Sequence, residues 1–195
     1  MRAWLVGIMG LVGCGLLSPR SPQPPEPGGD EGYQQPITPL AVVGNLRLSI
    51  SRRDAVLFLR CLVDSAVAPG RLYQFEPSGQ ALARYAAVFA QWSREAEWRS
   101  FVAMMSRIPS GLLPELVLIA PMVEQQTPDS AVFRAEYRLY VPHQEAEIPT
   151  LARGSLRWTL IPTREGMWAI LRWSDRELSD TAAVSWSVLK ALWSQ

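Results

Sequence analysis

The chain has 195 residues, with 19 basic and 18 acidic side chains, a formal net charge of +1 and one histidine. A balance this even argues against an electrostatic footprint for nucleic acid and against a polybasic patch for an anionic bilayer. Lys190 is the one lysine among the cations, which we read as genomic base composition.

The first residues form a targeting signal. Arg2 supplies a minimal positive region, and Ala3 to Val12 is an unbroken apolar and glycine run. Such a run suits the core of a secretory signal and falls short of the roughly 20 residues that span a bilayer. It ends in Leu11-Val12-Gly13-Cys14, with Gly15 next. This box resembles the lipobox of bacterial lipoproteins. The resemblance implies cleavage before Cys14, a diacylglycerol on its thiol and acylation of the new amine. Residues 1–13 are then a signal peptide, and the lipid bilayer is a partner through Cys14. Gly15, where an aspartate would retain the protein at the inner membrane under enterobacterial sorting rules, implies the periplasmic face of an outer membrane.

Between Ser18 and Pro39 stand Pro19, Pro22, Pro24, Pro25, Pro27, Pro36 and Pro39, interspersed with Gly28, Gly29, Asp30, Glu31 and Gly32. This composition disfavours helix and sheet and leaves little to pack. At about 3.1 Å per residue, an extended tether could hold a domain tens of Å from its anchor. We assign residues 14–44 to the lipidated cysteine and its tether, and residues 45–195 to one domain. That length is enough for a single hydrophobic core. With Cys14 acylated, Cys61 has no disulfide partner, and its place in an apolar helical pattern predicts a buried, inert thiol.

Within the domain, Ser51-Arg52-Arg53-Asp54 reads as a helix start, followed by Ala55, Phe58, Leu59, Leu62, Val63, Ala66 and Val67 at helical spacing until Pro69-Gly70. Arg71 to Phe75 could form a short strand. A helical region opens at Ser78-Gly79 and runs to about Arg107 in two stripes, Leu82-Tyr85-Phe89-Trp92-Ala96 and Trp98-Phe101-Val102-Met105. Their offset predicts a break near Ser93. From Glu115 the period becomes two. Leu116 to Gln126 is a strand interrupted at Pro121, and Thr127-Pro128-Asp129-Ser130 is a turn. Ala131 to Val141 alternates an apolar face (Phe133, Ala135, Tyr137, Leu139) with a charged one (Arg134, Glu136, Arg138). After a polar loop, Leu156-Trp158-Leu160 and Met167 to Ser174 form a hairpin across Pro162–Gly166. Ser179 to Ser194 closes the chain as a helix. The order gives an α+β fold, with N-terminal helices packed on an antiparallel sheet and a C-terminal helix added.

The segment Gly166-Met167-Trp168-Ala169-Ile170-Leu171-Arg172-Trp173-Ser174-Asp175 resembles the last strand of the nuclear transport factor two-like superfamily, in which a glycine and two tryptophans bracket alternating residues. The resemblance spans roughly Leu48 to Asp175. It implies a curved, cone-like sheet around an apolar pocket, which Tyr85, Phe89 and Trp92 would line. Two features depart from the family: an early β-hairpin is not evident, and the terminal helix is an addition.

Few residues offer chemistry. His143, Glu145 and Glu147 share one loop and could in principle hold a metal, but a solvated loop is the simpler reading. Ser110-Gly111 lacks a nucleophile-elbow context, and no phosphate-binding glycine loop is present. Enzymes of the superfamily place an acid or histidine inside the cone. Glu124 and Glu136 are strand acids that could serve, although Glu136 falls on the charged face, where pairing with Arg157 or Arg172 accounts for it. Val184, Val188, Leu189 and Leu192, flanked by Trp186 and Trp193, give the last helix a wide apolar surface. It would cover the mouth or outer face of the sheet, or dock a partner. These features favour a non-catalytic anchored module with an envelope partner, ahead of a binder of a small apolar or lipid-like ligand, and of an enzyme using a cavity carboxylate. No cofactor is called for.

Overall fold

The computed structural model describes residues 32–179 and 182–194. The expected signal peptide, Cys14 and the expected tether up to residue 31 lie outside the described residues. From Gly32 onward the chain packs as one unit.

That unit starts earlier than residue 45. Helix α1 spans Pro39–Arg52, with Thr38 as N-cap (its side chain accepts from the Ala41 N–H at 3.2 Å) and Pro39 in the first turn. Proline suits this position because it has no N–H to leave unsatisfied and its φ is already helical. Val42, Val43, Leu46 and Ile50 are buried along one face. Ahead of the helix, Gln34 is pinned by the Asn45 side chain, which accepts from its N–H and donates to its C=O. The carbonyl of Pro36 accepts from Trp168 N–H at 2.6 Å. Residues 32–44 therefore belong to the domain rather than the tether.

Ser51 sits in the last turn of α1 and caps nothing at its N-terminus. Arg53, at φ 57°, ends α1, and Asp54 caps helix α2 (Ala55–Arg60) by accepting from Leu57 N–H at 2.9 Å. Strand β1 (Gln74–Glu76) follows, then α3 (Gly79–Phe89) and α4 (Arg94–Ser106). Ser78 and Ser93 are their N-caps, each side chain accepting from the N–H three residues on. The expected break at Ser93 is present, and α3 has a further kink at Tyr85.

Strands β2 (Glu115–Gln126), β3 (Ala131–Tyr140), β4 (Leu151–Pro162) and β5 (Trp168–Arg176) form an antiparallel meander, in the order β1-β5-β4-β3-β2. The sheet is mixed, because β1 joins the β5 edge in parallel, pairing Phe75 with Trp173. A parallel neighbour cannot be joined by a tight turn, and here α3, α4 and three strands lie between the two. The register of β2 shifts between Ile119 and Met122, where Ala120 takes φ 46° beside Pro121. Such a bulge bends an edge strand and adds to the curvature of an unclosed sheet. Phe133, Ala135, Tyr137 and Leu139 face the helices and are buried, while Arg134, Glu136 and Arg138 face out. The core centres on Trp158, Trp173, Trp186, Phe58 and Phe101.

The buried face of α4 is Glu97, Ser100, Phe101, Met104 and Met105. It is rotated by one residue from the expected stripe, so Trp98 and Val102 lie on the exposed side. The last helix, α5, spans Trp186–Leu192. It starts later than Ser179 because Val184 is first drawn into an extended bridge with β4, its carbonyl accepting from Arg153 N–H at 2.9 Å.

The candidate site inside the cone and its occupant

The concave side of the sheet is where a cone-shaped fold would hold a ligand, and α5 enters it. Trp186, Val188, Leu189 and Ala191 are buried there, and so is Lys190, with 2% of its surface exposed. Its ammonium lies 3.7 Å from the centroid of Phe75 and 3.9 Å from that of Trp173, with Trp186 at 5.6 Å. Aromatic faces carry partial negative charge and attract a desolvated cation. Its counter-ion is Glu97, 1% exposed, whose Oε1 accepts from Lys190 Nζ at 2.7 Å, Tyr73 Oη at 2.8 Å and Trp92 Nε1 at 2.8 Å. Burial pushes the Lys190 pKa down, and Glu97 opposes that shift. Burial and then the Glu97 charge push the Tyr73 phenol well above its usual range.

A second buried acid anchors the start of α5. Asp175 accepts from Tyr137 Oη, Ser187 N–H and Ser187 Oγ, the first two at 2.7 Å. Tyr137 Oη in turn accepts from Trp186 N–H at 2.7 Å. Burial raises the Asp175 pKa, while the hydrogen bonds from Ser187 and Tyr137, and the Lys190 charge, act against it. Ser78 completes the contact by donating its N–H to Ser187 Oγ and sharing a 2.7 Å bond with Ser185 Oγ. Glu97 Oε1 and both Asp175 oxygens are thus held by this chain's own donors, with the two acids 1% and 0% exposed, while the buried Glu97 Oε2 has no hydrogen-bond partner among the described residues.

Tyr85, Phe89 and Trp92 do come together, but as a packed wall. Phe89 and Trp92 are 5.0 Å apart, each 5.8 Å from Phe75, and with half-buried Tyr85 they close over Val188 and Ala191 of α5. The strand acids lie on the opposite face of the sheet. Glu124 is clamped between Arg134 at 3.0 Å and Arg157 at 3.2 Å, so it makes the cross-strand pairing expected of Glu136, and Arg172 pairs with Glu76. His143 bonds within its own loop, its Nδ1 accepting from Glu145 N–H at 3.2 Å, and stands edge-on to Trp193. Glu145 pairs with Arg107 at 3.0 Å, and no metal-binding group of His, Cys, Asp and Glu forms among the described residues. Cys61 is buried, its Sγ donates to the Leu57 carbonyl, and burial followed by the Asp54 charge pushes its thiol far up.

Glu97, Asp175 and Lys190 were not singled out from the sequence. One signal was available: the sole lysine sits in an otherwise apolar helix, where it needs a buried counter-ion. Because the sole ammonium side chain is enclosed, N-hydroxysuccinimidyl acetate should leave Lys190 unmodified in the native protein and acetylate it in urea. Peptide mapping by mass spectrometry checks this, and rapid native acetylation would contradict the enclosure.

A separate cleft of about 330 Å³, mostly apolar, opens between the Tyr33–Pro36 segment, α1, α2 and the β4–β5 hairpin, with Leu57, Leu62, Met167 and Trp168 among its walls.

No protein-family model and no curated protein sequence matches this chain. Solved structures do. A candidate aromatic ring hydroxylase from Novosphingobium aromaticivorans superposes with a TM-score of 0.52 at 11% identity, covering 74% of this chain and 89% of that one. A candidate scytalone dehydratase from the same organism gives 0.52 at 10% identity, covering 74% and 88%. A candidate dehydratase of the NTF2-like family from Streptomyces avermitilis gives 0.51 at 12% identity, covering 70% and 91%. The Streptomyces protein is described as NTF2-like, and this chain shares the α+β cone fold of these neighbours.

Proposed function

We propose that this protein is an envelope lipoprotein, anchored through acylated Cys14 on the periplasmic face of an outer membrane, whose NTF2-like domain is a non-catalytic interaction module. The observation that carries the non-catalytic reading is the occupied cone. Lys190 fills the aromatic cage, and both interior acids are committed to α5 or to neighbouring side chains. An enzyme of this architecture would need one of those acids open to substrate. The anchored reading rests on the lipobox and the proline-rich stretch behind it. Among the described residues no helix is long and apolar enough to cross a membrane, so the acyl chains would be the means of attachment.

Cys14→Ala tests the anchor. The variant should lose the mass of the lipid and leave the membrane fraction, and unchanged membrane retention would refute it. The second reading, a binder of a small apolar ligand, is favoured by the cleft beside Leu57, Leu62 and Trp168 and not by the wall of Tyr85, Phe89 and Trp92. Native mass spectrometry of the delipidated domain separates the two. A co-purifying apolar molecule displaced by Leu57→Trp would select the binder.

A further inference from the structure

The outer face of the sheet carries a feature that the non-catalytic reading does not use. Cross-strand register sets Arg134 opposite Arg157, Arg157 opposite Ser174, and Ser155 opposite Arg176. The two serines are short among long neighbours, and the sheet sinks there into a groove of about 230 Å³ walled by Arg134, Arg157, Arg176 and Glu76.

Like charges placed directly across a strand pair repel. On one side of the groove the chain answers that repulsion itself, because the Glu124 carboxylate bridges Arg134 and Arg157. Glu76 is likewise committed, to Arg172 and to the Ser174 hydroxyl. The other side has no such answer. Arg176 is exposed and has no acid within ion-pair distance among the described residues, and the Ser155 hydroxyl has no hydrogen-bond partner there. Arg157 gives its Nε–H to Glu124, which leaves its terminal N–H groups to donate elsewhere.

We propose that this groove binds a phosphate group, held by Arg176, Arg157 and the Ser155 hydroxyl. Glu124 already shows how an oxyanion sits between arginines on this face. A phosphate suits the vacant side better than a second carboxylate, because its extra charge and third acceptor oxygen match three donors that diverge across two strands. The phosphate could belong to a lipid headgroup or to a soluble phosphoryl compound, and the chemistry of the groove is the same for both. The inference does not depend on acylation of Cys14.

The test uses the mature chain carrying Cys14→Ser, so that no lipid anchor contributes. Titration with glycerol 1-phosphate, followed by amide NMR, should shift Ser155 and Arg176 saturably. Arg176→Gln, an exposed change that leaves the core untouched, should weaken binding about tenfold, the loss expected for one charge-assisted hydrogen bond. Arg107→Gln, which breaks an exposed pair elsewhere, should leave it unchanged. Flotation with vesicles of phosphatidylglycerol in phosphatidylcholine identifies the source. Arg176-dependent flotation assigns a lipid headgroup, and glycerol 1-phosphate binding without flotation assigns a soluble ligand. Absence of both, or affinity indifferent to Arg176→Gln, overturns the proposal.

Discussion

Lys190→Ala is expected to destabilise the domain by about 3–5 kcal/mol, the usual consequence of stranding one member of a buried ion pair. For a domain of this size that corresponds to a fall in Tm on the order of 10 °C. The variant removes the ammonium from between Phe75 and Trp173 and leaves the Glu97 carboxylate buried with only Tyr73 and Trp92 as donors. The penalty should come from the stranded charge rather than from the missing contact. The double variant Lys190→Met with Glu97→Gln should therefore recover much of the loss, since methionine refills the cage and the glutamine oxygen still accepts from Tyr73 and Trp92. Urea denaturation of Lys190→Ala, Lys190→Met, Glu97→Gln and the double variant measures this directly. A Lys190→Ala variant within about 1 kcal/mol of the parent would mean that the pair does not hold α5 in place.

Gly154→Ala should be comparably severe, at about 4 kcal/mol, combining overpacking with a broken buried hydrogen-bond set. A Cβ at this position would lie 2.5 Å from the Arg176 carbonyl oxygen and 2.5 Å from Tyr137 Oη. The carbonyl belongs to the neighbouring strand and cannot retreat without parting β4 from β5. The phenol cannot retreat either, because it is fixed between Asp175 and the Trp186 N–H at the start of α5. One methyl group therefore acts on the sheet and on the seating of α5 together. Tyr137→Phe in the Gly154→Ala background should relieve only part of the strain, because the carbonyl clash stays. Thermal denaturation of the single and double variants checks the ordering, and a Gly154→Ala protein as stable as the parent would refute the close approach.

What could be read in advance follows from how local each signal is. The alternation from Ala131 to Val141, the helix opening at Ser78-Gly79 and the break near Ser93 depend on a few adjacent residues, and the structure agrees with each. Helix α1 was hidden because its start lies in a proline-rich stretch, although Thr38-Pro39 is itself a helix-start pair and Val42, Val43, Leu46 and Ile50 keep helical spacing. On α4, reading tryptophan as core and glutamate as surface turned the helix by one residue. Glu97 is buried only because Lys190, far along the chain, neutralises it. The same distance explains the site. The adjacency of Tyr85, Phe89 and Trp92 is readable from their spacing, but their occupant is α5, and no local pattern announces which remote helix fills a cavity. The apolar face of the last segment suggested a cover for the mouth of the sheet, and the buried acids that seat it inside were not anticipated.

The position of α5 in the chain also governs when this core can close. It follows every strand and helix that it packs against. Synthesis proceeding from the N-terminus therefore delivers Glu97, Phe75 and Trp173 before the ammonium that satisfies them. During that interval, lasting seconds at typical elongation rates of about 5–20 residues per second, the nascent sheet presents an open aromatic trough with a carboxylate at its base. The seat of Glu97, Phe75 and Trp173 is therefore completed only when α5, the last described helix, has been made.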